Sequence, residues 1–180
     1  MTVPNLITSI RIILVPIFVI YLIQDKLLSA LVVFILAGLS DGVDGLMARL
    51  LDQKSKIGAY LDPLADKILL IAAFIVLAAR DLVPAWLTVL VISRDVLILL
   101  GVLMLYLNGT DLTIKPSVLS KINTCLQLLA VFMVLSAGYL HFPSPLTHSV
   151  FWATGLFTIT SGLHYMHTWF RMAGEGSVGQ

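Results

Sequence analysis

An all-α integral membrane fold of six transmembrane helices is predicted by this sequence, on three observations. Of its 180 residues 59% are hydrophobic and only 12% charged, whereas soluble domains carry about a quarter charged residues. A water-soluble fold of this size leaves roughly a third of its unfolded surface exposed, which would put far too much apolar area in water. Six successive windows reach the length of about 20 mostly apolar residues that spans a bilayer. No window alternates with period two, and open sheet edges are not tolerated in lipid, so strands are not expected.

The first window runs from Asn5 to Ile23. Asn5, Thr8, Ser9 and Arg11 interrupt its start, and Gln24-Asp25-Lys26 follows it in place of a small-residue cleavage site. It therefore reads as a retained helix and not as a signal peptide. The second window, Leu27 to Leu51, ends at Asp52-Gln53-Lys54-Ser55, and the third spans Ile57 to Ala79. The fourth, Val83 to Leu107, closes at Asn108-Gly109-Thr110-Asp111. The fifth covers Val118 to Leu140, and Phe142-Pro143-Ser144-Pro145 separates it from the sixth, Leu146 to Phe170. These breaks carry turn chemistry. Residues 1–172 form one membrane domain, and 173–180, containing Gly174, Gly176 and Ser177, read as a disordered tail.

With six spans, both termini share a side with the second and fourth connections. That side receives Arg49, Lys54, Lys56, Lys115, Lys121 and Arg171, and the other Lys26 and Arg80. The excess of positive charge places both termini in the cytoplasm. A net charge of +1 gives no general attraction to nucleic acid. The single cysteine, Cys125, makes neither an internal disulfide nor a redox pair and reads as a small buried apolar residue.

Four acids stand out in this apolar chain: Asp41 and Asp44 in the second window, Asp62 and Asp66 in the third. A carboxylate at the centre of a membrane helix costs about 2.5–3.5 kcal/mol on the insertion scale. Four unpaired would cost on the order of 10 kcal/mol, comparable to a domain's whole stability. Spacings of i, i+3 and i, i+4 put each pair on one helix face. A hairpin turning near Gln53 and Lys54 then brings both pairs to one level, about 10–18 Å from the turn. Mutual repulsion at that level calls for concentrated positive charge. Hard divalent cations with oxygen ligands supply it, above all Mg²⁺, which combines a few carboxylates with substrate phosphates. Pairing with Arg49 and Lys67 is the bland alternative, but local basic residues are too few for all four acids. A cation transporter is a second alternative. Against it stand Gly45 and Gly58, which let a bulky ligand approach the backbone, the small Ala48, and Arg49 with its phosphate-binding fork. The acids also sit in one hairpin, whereas a conduction path needs polar residues on several helices.

The stretch SDGVDGLMARLLDQKSKIGAYLDPLADK resembles the CDP-alcohol phosphatidyltransferase family, whose signature is D-x2-D-G-x2-A-R-x8-G-x3-D-x3-D. Asp41, Asp44, Gly45, Ala48, Arg49, Gly58, Asp62 and Asp66 meet every fixed position. The resemblance implies six transmembrane helices, a homodimer and an active site open to the cytoplasm. It further implies that Asp41, Asp44 and Asp62 ligate two divalent metals, Mg²⁺ or Mn²⁺, with Asp66 completing the site and acting as general base. Gly45, Ala48, Arg49 and Gly58 would receive the cytidine diphosphate, and Asn5, Thr8 and Arg11 resemble the family's N-terminal approach to the donor phosphates.

Beyond the signature, ISRDVLILLGVLMLY and IKPSVLSKINTCLQLLAVF resemble the eukaryotic-type cardiolipin synthases, a branch that also occurs in bacteria; phosphatidylglycerophosphate synthases are the near relatives. In those relatives a second arginine follows the Arg94 position, where this chain has Val102, and a lysine stands where it has Asn123. A phosphomonoester acceptor carries close to two charges and a diester one. Arg94, Lys115 and Lys121 alone therefore suit phosphatidylglycerol better than glycerol 3-phosphate. The expected reaction joins CDP-diacylglycerol to phosphatidylglycerol, giving cardiolipin and CMP, in a bacterial inner or plasma membrane. Arg94 and Asp95 also admit a plain ion-pairing role between helices, and Lys115 and Lys121 an anchoring one. His164 and His167 read as interfacial packing in preference to a metal pair. Trp86, Trp152 and Trp169 read as interfacial belt residues.

Overall fold

A computed structural model describes the backbone of residues 3–50, 58–107 and 117–176, with side chains over 13–40, 67–101 and 117–167. Six helices follow in chain order: α1 (Val3–Ile23), α2 (Leu27–Leu50), α3 (Gly58–Ala79), α4 (Ala85–Leu107), α5 (Val118–Ser136) and α6 (Ser144–Gly176). The described residues are all-α, as the sequence predicts. At about 1.5 Å per residue, the first five helices rise roughly 29–36 Å, close to the hydrocarbon thickness of a bilayer. Among the described residues, however, only Val118–Ser136 is long and apolar enough to cross a membrane by itself.

The last two helices depart most from the sequence windows. α5 stops at Ser136, four residues short of Leu140, and the amides of Tyr139 and Leu140 turn back to the Ser136 carbonyl at 2.9 and 2.8 Å. Gly138 follows at once, and glycine is a poor helix former. α6 instead runs on to Gly176, past Phe170 and into the stretch read as a tail, whose last four residues lie outside the described ones. An apolar window marks where a helix suits lipid. Backbone hydrogen bonding carries on beyond it.

The chain divides into two compact units. The first comprises α1 to α3 with residues 131–142, and α1 packs on both α2 and α3. Its core is apolar at helical spacing: Phe18 and Leu22 on α1, Ala30, Phe34 and Ala37 on α2, Leu70, Phe74 and Leu77 on α3. The rings of Phe18 and Phe34 lie 5.9 Å apart. Two matching caps close this unit. After α1, Asp25 adopts φ 62°, its amide bonds to the Leu22 carbonyl and the Lys26 amide to that of Tyr21. After α3, Asp81 adopts φ 57°, with the Asp81 amide on Ala78 and the Leu82 amide on Leu77. Both are Schellman turns with aspartate at the left-handed position that glycine usually fills. Arg80 ties the two together, donating to the Leu22 carbonyl and pairing with Asp25. A cation there also complements the negative end of each helix.

The second unit contains α4, the first part of α5 (118–130), and α6. α4 packs on α6, where Gly155 makes room for Trp86: a Cβ at 155 would stand 2.7 Å from the indole Cζ3. The Trp86 ring leans on Trp152 at 4.9 Å between centroids. Leu87, Val91, Ala130 and Phe151 are buried here, but so are Thr88, Arg94, Asn123, Gln127, Thr154, Thr158 and Ser161; Cys125, expected to be buried, is exposed instead, because the inward face of α5 is taken by Asn123 and Gln127. Many exposed positions are apolar in both units, among them Val32, Ile35 and Leu39 on α2 and Leu156, Ile159 and Leu163 on α6.

Candidate active site

The signature residues fall on two uninterrupted helices. Asp41, Asp44, Gly45, Ala48 and Arg49 lie on α2; Gly58 opens α3, which carries Asp62 and Asp66. Their side chains lie outside the described residues. The helical backbone at each pair means that i, i+3 and i, i+4 do share a face. Counted from the helix ends joined by 51–57, Asp44 and Asp62 stand about 9 and 6 Å along, Asp41 and Asp66 about 13.5 and 12 Å. The chemistry of this donor set, carboxylate oxygens without sulfur or imidazole, fits hard divalent cations. Among the described residues, which leave out the side chains of these four aspartates, no group of three or more histidines, cysteines or acids is placed to hold a metal. Asn5, Thr8 and Arg11 follow one another at three-residue steps on α1; their side chains, and all of Lys115, lie outside the described residues.

The second unit holds the other predicted residues. Arg94 is 4% exposed. Its Nη1 donates to Asp95 Oδ1 at 2.7 Å, and the Asp95 side chain is itself 7% exposed. Its Nη2 donates to Ser120 Oγ at 2.6 Å and to Ser161 Oγ at 2.9 Å. The guanidinium carbon stands 5.7 Å from the centre of the Tyr165 ring, within cation–π range. One arginine of α4 thus reaches both α5 and α6. Lys121, one residue beyond Ser120, is exposed. His164 and His167 are exposed on α6, and the His164 ring packs edge-on against Tyr165 at 6.3 Å.

A polar seam continues from this point, which the sequence reading missed. On α5, Ser120, Asn123 and Gln127 follow at i, i+3, i+7; on α6, Thr154, Thr158 and Ser161 follow at i, i+4, i+7. Asn123 is fully buried, and its Oδ1 accepts the Thr158 hydroxyl at 2.8 Å. Gln127 is fully buried, and neither of its amide atoms meets a partner; Asn123 Nδ2 and Arg94 Nε are likewise unmet. Burying such groups unpaired costs about 1–3 kcal/mol each. The helical period of polar residues was the available signal, hidden because apolar periodicity is what marks a buried face.

A family model described as CDP-alcohol phosphatidyltransferase matches residues 1–160. The cardiolipin synthase (CMP-forming) of Rattus norvegicus is 37% identical over 92% of this chain, and that of Homo sapiens 36% over the same share. The chain spans about three fifths of those two relatives, 61% of each. The CDP-diacylglycerol–glycerol-3-phosphate 3-phosphatidyltransferase of Bacillus subtilis (strain 168) is 35% identical over 90% of this chain and 92% of its own length.

Proposed function

The chain belongs to the CDP-alcohol phosphatidyltransferase family, and on that premise we propose that it transfers a phosphatidyl group from CDP-diacylglycerol to phosphatidylglycerol. The products are cardiolipin and CMP. The observation that carries this reading is the complete signature, Asp41 to Asp66, laid out on the unbroken helices α2 and α3. Asp41, Asp44, Asp62 and Asp66 hold two divalent cations, Mg²⁺ or Mn²⁺. When bound, these supply neutralising charge to the pyrophosphate and to the departing CMP. Arg49 adds a fork of donors to the diphosphate. Gly45, Ala48 and Gly58 leave room for the cytidine, while Asn5, Thr8 and Arg11 face the donor phosphates. Asp66 takes the proton of the acceptor hydroxyl as that oxygen bonds to the lipid-side phosphorus, and the bond from phosphorus to CMP breaks.

Two observations support phosphatidylglycerol as acceptor. Position 123 is a neutral, fully buried amide already bonded to Thr158, so it brings no charge for a phosphomonoester. The relatives from rat and human bear the cardiolipin synthase name. Lys115 and Lys121 then meet the diester's single charge. A second reading, glycerol 3-phosphate as acceptor, rests on the Bacillus subtilis relative, nearly all of whose length is covered. The exposed apolar positions suit a bilayer. All six helices cross it in this reading, both termini are cytoplasmic, the membrane is a bacterial inner or plasma membrane, and the protein is a homodimer. The deciding experiment supplies CDP-diacylglycerol with either acceptor to the purified protein and measures CMP. Faster release with phosphatidylglycerol is expected; faster release with glycerol 3-phosphate reverses the assignment.

A further inference from the structure

We propose that Arg94 is a positioning residue, which fixes the first turn of α5 through Ser120 and so sets where Lys121 points. The inference rests on the acceptor role assigned above to Lys121.

Arg94 has little charge to offer a substrate anion. It is 4% exposed and pairs with Asp95 at 2.7 Å, so the pair is neutral as a unit. Both hydrogens of Nη2 go to serines on different helices, Ser120 at 2.6 Å and Ser161 at 2.9 Å. A guanidinium is planar and rigid, so these bonds tie α4, α5 and α6 at one point. The rest of the side chain is held as well: Cγ lies 3.6 Å from where a Cβ would stand at Gly162, and the Tyr165 ring flanks the charged end.

Ser120 is the receiving end of this tie. Its amide donates to Ser117 Oγ at 3.2 Å, the cap of α5, and its carbonyl accepts the Thr124 hydroxyl at 3.1 Å. Backbone and hydroxyl of Ser120 are therefore both anchored. Successive helical residues diverge by about 100° around the axis. Holding the 120 hydroxyl inward against Arg94 holds the exposed Lys121 outward at a set azimuth. Lysine is a flexible point charge, and its placement depends on the turn that carries it.

Arg94 Nε lacks a protein partner but is itself buried, so a direct contact with substrate would require the site to open, and the test separates the two roles. The protein in lipid–detergent micelles is assayed for CMP release with Ser120→Ala, Ser161→Ala and Arg94→Lys, the last keeping a positive charge beside Asp95 while replacing the planar fork with a single ammonium. Ser120→Ala should raise the acceptor KM about fivefold, the equivalent of one hydrogen bond, with donor KM and kcat within about twofold. Arg94→Lys should do the same, and combining it with Ser120→Ala should add nothing. The proposal is overturned if Arg94→Lys raises the acceptor KM while both serine variants are silent, because the contact is then direct. It is equally overturned if donor KM, acceptor KM and unfolding midpoint all shift together, which marks a purely structural tie. An arm without catalysis places a spin label at Lys121→Cys in a Cys125→Ser background. Ser120→Ala should increase the label's mobility, and an unchanged spectrum overturns the proposal. Absence of CMP release from the unmodified protein would count against the proposed function alone, and the spin label then decides the role of Arg94.

Discussion

Replacing Gly155 by alanine should set two effects against each other, and their sizes follow from the packing of α4 on α6. The new Cβ would stand 2.7 Å from Trp86 Cζ3 and 3.1 Å from Cη2. Carbon atoms rest at about 3.5–4.0 Å, so the indole must retreat by roughly 0.8 Å or the helices must part. Its retreat disturbs the contact with Trp152 at 4.9 Å. Overpacking of this kind costs about 1–3 kcal/mol. Alanine in a helix interior returns about 1 kcal/mol over glycine. The net expectation is a loss of about 0–2 kcal/mol. In a Trp86→Leu background the clash is gone and the same change should stabilise by about 1 kcal/mol. Far-ultraviolet circular dichroism of the four proteins, melted in one detergent, completes the cycle. A coupling of about 1–3 kcal/mol is expected. Equal effects of Gly155→Ala in both backgrounds would refute the notch that Gly155 is said to provide.

Gln127→Leu removes two buried amide atoms that meet no partner, so the melting midpoint should hold or rise, by the equivalent of about 1 kcal/mol; a drop above about 2 kcal/mol would reveal a partner the amide needs. Asp81→Gly relieves a left-handed residue at φ 57° and should stabilise by about 0.5–1 kcal/mol, with Asp81→Val destabilising, in the same melts. Asp66→Asn should abolish CMP release while CDP-diacylglycerol still binds, as seen by equilibrium binding of labelled donor; near-normal turnover would strike out the base assignment.

The helices were legible because lipid-sized apolar windows and turn residues mark them, and Gly58 and Ser144 sit within two residues of expected starts. The end of α6 was not, since an apolar window says nothing about how far hydrogen bonding continues into polar sequence. The shared faces of the two acid pairs were readable from spacing, the full signature from its resemblance to the family, and α2 and α3 are helical across the signature's described positions. Arg94 was readable as a charged residue inside a span. That its donors turn inward to Ser120 and Ser161 depends on residues 26 and 67 positions away, which no local pattern reports. Gln127 went unread, and Asn123 was read as a missing cation and not as a buried amide, for a different reason: polar residues at helical period look like an exposed face until a partner helix covers them.

The most direct measurement counts metal and turnover in one sample. Mn²⁺ titrated into the chelator-treated protein should bind at two sites per chain, and CMP release should rise as they fill. Asp41→Ala should lose both together. Release that proceeds undiminished in excess chelator, or Mn²⁺ binding indifferent to Asp41, would contradict the assignment of these aspartates.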